Sequence, residues 1–125
     1  MSEPNSARPA DGTALIALDK LKPHSAVVVD FREGDALYSL IVAREEQRVY
    51  AYQNSCPHAS APLERFDGVM IVEHKRFIVC AMHGASFGLA DGKCVGGPAL
   101  GTALTPEPVY VEAGMVRLGV RPAPA

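Results

Sequence analysis

Short apolar segments separated by turn residues follow one another along the chain. The segments are rich in Val, Ile, Tyr and Phe, which favour strands. Turn dipeptides such as Asp67-Gly68 and Asp91-Gly92 lie between them. This pattern predicts an all-β domain. The predicted strands are residues 13–18, 25–30, 36–43, 48–53, 69–72, 76–80, 85–88, 109–112 and 116–120.

The two ends of the chain lack this pattern. Residues 1–12 contain no apolar segment and are predicted to form a disordered lead, and residues 121–125 are predicted to be a frayed tail. Residues 13–120 are then of the length of a single domain. One helical turn is predicted at residues 19–22.

Charge and composition narrow the classes of function. The chain has 125 residues and a net charge of −2 at pH 7, which gives no reason to expect nucleic acid or an anionic membrane as a partner. No run of about 18 apolar residues predicts a membrane span, and the first residues do not resemble a secretory signal. We therefore predict a cytoplasmic protein. In that compartment three cysteines suggest metal binding or chemistry before disulfides.

Two loop-like stretches rich in small residues carry the candidate chemistry. The first contains a Cys-x-His pair, Cys56 and His58, and the second a Cys-x-x-His pair, Cys80 and His83. The 21 residues from 59 to 79 are enough for two strands to leave the first loop and return with the second. Two thiolates and two imidazoles form a complete ligand set for a soft or borderline metal centre.

A structural zinc site is the main alternative for these four ligands. Zinc binds Cys2His2 sets readily, but its familiar spacing places both cysteines in one pair and both histidines in the other. Here each loop carries one residue of each kind. The mixed order favours a binuclear cluster, with both cysteines on one iron and both histidines on the other.

The two loops resemble those of the Rieske family, whose signature is Cys-x-His followed by Cys-x-x-His. The likeness extends to Ala-Ser-Ala-Pro-Leu after His58 and to Gly-Ala-Ser-Phe after His83. The stretch Gly97-Pro98-Ala99 resembles the proline loop that covers the cluster in this family. The spacing of 21 residues between the motifs is longer than usual in Rieske ferredoxins.

The resemblance implies one 2Fe–2S cluster. Cys56 and Cys80 would bind its inner iron, and His58 and His83 would bind its outer iron near the surface. It also implies a base of antiparallel sheets into which a cluster-binding subdomain is inserted, at about residues 54–99.

The resemblance further indicates a low-potential centre. High-potential Rieske proteins carry a disulfide at the positions of Ala61 and Met82, and hydroxyl donors at the positions of Ala85 and Phe87. Without such donors the more negative reduced state is less stabilised, which lowers the potential.

The resemblance implies a one-electron carrier that passes electrons from a flavin-dependent reductase to a terminal oxygenase. The chain is not expected to be an enzyme alone, because only His24 and His74 remain for a second iron site and no Gly-x-Gly-x-x-Gly motif is present. The alternatives are a small Rieske subunit of a nitrite reductase or another redox complex, and a redox-sensing binding module.

Two further expectations concern side chains near the loops. Cys94 has no histidine close in sequence and is predicted to be a small buried side chain. An apolar docking face is expected around the histidines, formed by Pro62, Leu63, Met82 and Pro98.

Overall fold

The computed structural model of the protein describes residues 6–57, 62–65, 67–82, 84–97 and 100–122. The prediction of an all-β chain is confirmed, since the described residues form eleven strands and one 3-10 turn. The elements are β1 Ala14–Ala17, the 3-10 turn Leu18–Lys20, β2 Ser25–Glu33, β3 Ala36–Glu45, β4 Arg48–Gln53, β5 Ile71–Glu73, β6 Phe77–Val79, β7 Ser86–Gly88, β8 Cys94–Gly96, β9 Pro106–Glu107, β10 Val109–Glu112 and β11 Met115–Leu118.

The strands form three antiparallel sheets, with the orders β1-β11-β10, β2-β3-β4-β9 and β5-β6-β7-β8. The first two sheets use the beginning and the end of the chain, and we call them the base. The third sheet uses the residues between β4 and β9, and we call it the inserted sheet. The chain thus leaves the base after β4 and returns to pair with β4 again through β9.

Strands β4 and β10 have the bounds that the sequence predicts, whereas β8 and β9 are absent from the prediction. These two strands are only three and two residues long. Each is formed by pairing with a neighbour, β8 with β7 and β9 with β4. Such short segments carry too little periodicity for a strand to be recognised locally.

Strand β3 separates two hydrophobic cores. Four consecutive residues, Leu40, Ile41, Val42 and Ala43, are fully buried because both faces of this strand are covered. Since side chains alternate across a strand, Leu40 and Val42 belong to the core inside the base, while Ile41 and Ala43 belong to the core shared with the inserted sheet.

A buried tyrosine also joins the base to the inserted sheet. The Tyr52 hydroxyl on β4 donates a hydrogen bond of 3.0 Å to the carbonyl of Leu89, just after β7. Burial raises the pKa of the Tyr52 phenol above its usual range, so the hydroxyl remains protonated and can donate. The two parts of the fold are thereby held in one orientation.

Residues 6–12, the described part of the predicted disordered lead, contact the base. Ala7 is only 6% exposed and lies in the core of the base. The Gly12 N–H donates to the Leu118 carbonyl at 2.7 Å, and Arg8 forms an ion pair with Asp11. One small apolar residue gives almost no signal in sequence, yet it fills a place in the core. Residues 1–5 lie outside the described residues.

The described part of the chain contains no helix long and apolar enough to cross a membrane.

Gly97, which follows β8, packs tightly against the loop after Cys80. Its φ of +89° lies in the left-handed region. A Cβ atom at this position would lie 2.8 Å from the Cα of Ala85 and 3.1 Å from the carbonyl oxygen of Gly84. Only glycine therefore allows this close approach of the two loops.

We expect Gly97→Ala to lower the free energy of unfolding by about 1–3 kcal/mol, because it combines a backbone conformation unfavourable for alanine with a clash against backbone atoms. The neighbouring Gly96→Ala is the control, since a Cβ there would meet no atom within 4 Å. Chemical denaturation of both variants measures the difference. Equal stability of the two variants would show that the loops do not pack as described.

Candidate metal centre

The first cysteine loop begins where β4 leaves the base sheet. The Asn54 N–H still donates to the Ser39 carbonyl on β3, at 2.9 Å, and so extends the contact between β4 and β3 by one residue. Cys56 follows two residues later and is fully buried. The end of the strand thus directs the first predicted ligand into the protein interior.

The second cysteine loop is a tight turn after β6. Cys80 follows Val79 directly and is 1% exposed. Its N–H donates to the Ala85 carbonyl at 2.8 Å, and its carbonyl accepts from the Gly84 N–H at 2.8 Å. These two bonds close the turn at its base and fix Cys80 at the start of the loop.

A backbone hydrogen bond joins the two loops. The N–H of Ala81, next to Cys80, donates to the carbonyl of Leu63 at 2.9 Å. Leu63 lies in the first loop, seven residues after Cys56, and its own N–H donates to the Asn54 side chain at 2.9 Å. The structure therefore brings together the two loops that the sequence singled out.

The surroundings of the two cysteines are apolar. Cys56 and Cys80 belong to the core shared by the base and the inserted sheet, together with Leu63, Ala85 and Phe87. All five are 1% exposed or less. Ala85 and Phe87, the positions predicted to lack hydroxyl donors, thus lie in the same buried cluster as the cysteines.

Of the residues expected to form the docking face, two are exposed as predicted and one is buried, which corrects the prediction for that residue. Pro62 is exposed, and Met82 is 57% exposed. Leu63, in contrast, is fully buried. Its side chain fills the core because its backbone is bonded on one side to Asn54 and on the other to Ala81. Pro98 lies outside the described residues.

The two predicted histidine ligands, His58 and His83, also lie outside the described residues, as do Ala61 and Ala99. Within the described ranges no three His, Cys, Asp or Glu side chains are grouped as a metal site. The remaining histidines are elsewhere: the His24 ring nitrogen Nε2 lies 2.8 Å from Glu46, and His74 forms the turn between β5 and β6.

Cys94 is 8% exposed, which confirms its prediction as a buried side chain. It lies on β8, and its thiol donates to the carbonyl of Gly96 at 3.2 Å. Cys94 therefore lies outside the two linked loops that carry Cys56 and Cys80.

Two buried thiols on hydrogen-bonded neighbouring loops fit the sulfur ligands of an iron–sulfur cluster. Cluster irons of this kind take cysteine thiolates, and burial in apolar surroundings keeps water away from the metal. The protein's own contribution is to bury both thiols away from water.

Sequence reasoning missed Asn54. It is the one polar residue buried among the described residues, at 8% exposure, and it contacts both the base and the first loop. Its position directly after a strand and two residues before a predicted ligand was the available signal. That signal is weak, because asparagine at a strand end is common in ordinary turns.

Comparison with solved structures identified similar folds. The ferredoxin of carbazole 1,9a-dioxygenase from Nocardioides aromaticivorans IC177 is 26% identical, with a TM-score of 0.68 over 90% of this chain and 100% of that chain. The Sphingomonas yanoikuyae B1 ferredoxin is 24% identical, with a TM-score of 0.65 over 89% and 100%. A putative nitrite reductase small subunit is 20% identical, with a TM-score of 0.60 over 89% and 100%.

Comparison with curated proteins gave no match. The model of the Rieske [2Fe-2S] domain family matches residues 13–112, which is 100 of the 125 residues. The chain therefore belongs to the Rieske family, and it is an electron-transfer protein with a 2Fe–2S cluster rather than a catalytic enzyme.

Proposed function

We propose that this chain is a low-potential Rieske ferredoxin that passes single electrons from a flavin-dependent reductase to a terminal oxygenase. Its cluster would be held by Cys56, His58, Cys80 and His83. The cluster-binding subdomain would comprise about residues 54–99 within a single domain of residues 13–120. The observation that carries the proposal is the burial of Cys56 and Cys80 on two loops joined by a hydrogen bond.

The ligand assignment rests on position in the two loops. Cys56 and Cys80 are buried, whereas Pro62 and Met82 in the same loops are exposed. The loops thus run from the core to the surface. Ligands after the cysteines in sequence, His58 and His83, would then hold the outer part of the group. When bound, the cluster supplies one site that takes up and releases a single electron.

The low potential follows from the residues around the second cysteine. Ala85 and Phe87 are fully buried near Cys80, and neither side chain has a hydroxyl to donate. Met82 occupies a position where high-potential relatives have a disulfide cysteine. Since hydrogen bonds to cluster sulfur favour the reduced state, their absence supports the low end of the Rieske range.

Exposed apolar side chains on and near the loops, beside a cleft that also has charged residues, support a protein partner. Pro62, Met82 and Leu100 are exposed, Met82 at 57% and Leu100 at 68%. A cleft of about 360 Å³ lies between the loops, lined by Glu64, Arg65, Asp67, Ala81 and Met82. Burial of such residues gives a small, reversible contact, typical of redox encounters.

A terminal oxygenase is the favoured partner because similar solved structures include a dioxygenase ferredoxin and a complex of oxygenase and ferredoxin. The most informative of them is the carbazole 1,9a-dioxygenase ferredoxin, at 26% identity over its whole length. A related structure is described as a complex of reduced oxygenase and oxidized ferredoxin. The second candidate function, a small subunit of a nitrite reductase, is supported by the likeness to that putative subunit.

The cytoplasmic location stays a prediction.

The ligand set is tested by cysteine replacement. Cys56→Ser and Cys80→Ser should each abolish the bound iron and acid-labile sulfide, of which the unaltered protein should hold about two each per chain. Cys94→Ser is the control and should keep both, because Cys94 lies outside the two linked loops. Metal and sulfide analysis of the three purified variants measures this. Zinc without sulfide in the unaltered protein would contradict the assignment.

The carrier role is tested by electron relay. In stopped-flow experiments with the reductase and terminal oxygenase components of a carbazole 1,9a-dioxygenase system, the chain should be reduced and then reoxidised. Met82→Glu should slow reoxidation about tenfold, because a charge in the apolar contact costs on the order of 1.4 kcal/mol.

Val120→Glu is the matched control for the relay. Val120 is 72% exposed and follows the last strand of the base. The same charge at this position should leave the rate unchanged. Equal rates for both variants would contradict a docking surface at the loops, and relay to a nitrite reductase instead of the oxygenase would favour the second candidate.

A further inference from the structure

Asn54 makes a complete set of side-chain hydrogen bonds in a buried place. Its Nδ2 group donates to the Ser39 hydroxyl oxygen at 3.0 Å and to the Glu64 carboxylate at 2.8 Å. Its Oδ1 accepts from the Leu63 N–H at 2.9 Å. Both amide hydrogens and the carbonyl are thus used, and the three partners come from β3 and the first loop.

These bonds continue into the second loop. The N–H of Leu63 donates to the Asn54 side chain, and the carbonyl of Leu63 accepts from the N–H of Ala81. Ala81 adjoins Cys80, and Asn54 lies two residues before Cys56. A continuous series of hydrogen bonds therefore runs from the base sheet through both loops that carry the cysteines.

Loss of these hydrogen bonds should displace the cysteine loops and leave the base strands in place. Leu63 is fully buried and its N–H donates to the Asn54 side chain. Loss of the Asn54 carbonyl would therefore leave a buried N–H without an acceptor, which costs free energy. The loop can relieve this cost by moving toward water, because its neighbour Pro62 is already exposed. The strands of the base keep their own ladder bonds when this happens.

We infer that Asn54 is a positioning residue for the cluster: its side chain fixes the first cysteine loop to the base and, through Leu63, to the second cysteine loop. It touches neither iron nor sulfide and acts on the spacing of Cys56 and Cys80. This inference rests on the proposed cluster binding and adds to it the residue that keeps the site in one geometry.

The first test compares Asn54→Leu with Gln53→Leu. Both replace a side-chain amide with an apolar group of similar size in adjacent residues. Gln53 donates to Glu107 at 3.0 Å, which is a contact within the base, so its loss spares the loops. The comparison separates positioning of the cluster from a general loss of stability.

Three measurements apply to each purified variant. Asn54→Leu should broaden the electron paramagnetic resonance spectrum of the reduced protein, because the loops take several geometries. It should also lose iron to a chelator about tenfold faster, and the amide hydrogens of Leu63 and Ala81 should exchange faster. Gln53→Leu should match the unaltered protein in all three.

A second test exchanges the donor and the acceptor in the contact between Asn54 and Glu64, so that the inference can be tested even if Asn54→Leu does not fold. Asn54→Asp keeps an acceptor for the Leu63 N–H but places a carboxylate against that of Glu64. Adding Glu64→Gln restores a donor across the same contact, now in the opposite direction. We expect fast iron loss in the single variant Asn54→Asp, and recovery to within about twofold of the unaltered rate in the double variant.

The outcomes separate this inference from the proposed function. An unaltered protein without iron and sulfide would overturn the proposed function. If the unaltered protein holds its cluster, then unchanged spectra, iron loss and exchange in Asn54→Leu would overturn the inference. So would a double variant that loses iron as fast as Asn54→Asp.

Discussion

The hydrogen bond from the Ala81 N–H to the Leu63 carbonyl, 2.9 Å long, joins two loops that are far apart in the sequence. The first loop continues from β4 of the base, and the second connects two strands of the inserted sheet. Because each loop carries one buried cysteine, this bond joins the two segments that contain the thiols. Asn54 beneath it and Gly97 beside it hold the loops in place.

The layered fold supplies the rigid support that such a site needs. Strand β3 is buried on both faces and carries one core inside the base and another under the inserted sheet. The buried Tyr52 hydroxyl ties the base to the residue after β7. A metal centre held by residues whose conformations are fixed by packing and hydrogen bonds reorganises little when an electron arrives.

The all-β class and the location of the two cysteine loops could be predicted, because alternating apolar segments and the spacing of Cys-x-His and Cys-x-x-His are local signals. Strand β4 was predicted to the residue for the same reason. The burial of Ala7, the inward side chain of Leu63 and the short strand β9 could not be predicted, since each depends on partners distant in sequence. The hydrogen bonds of Asn54 belong to this group, because no local pattern distinguishes a buried asparagine from one in a turn.

We propose that this chain holds one cluster on two cysteines and two histidines and uses it to carry one electron at low potential. Protein-film voltammetry of the purified protein at pH 7 tests all parts of it together. The cluster should give a reversible one-electron wave at about −150 mV, the low end of the Rieske range (about −150 to +300 mV). A clearly positive midpoint, or no wave from folded protein that contains iron, would contradict it.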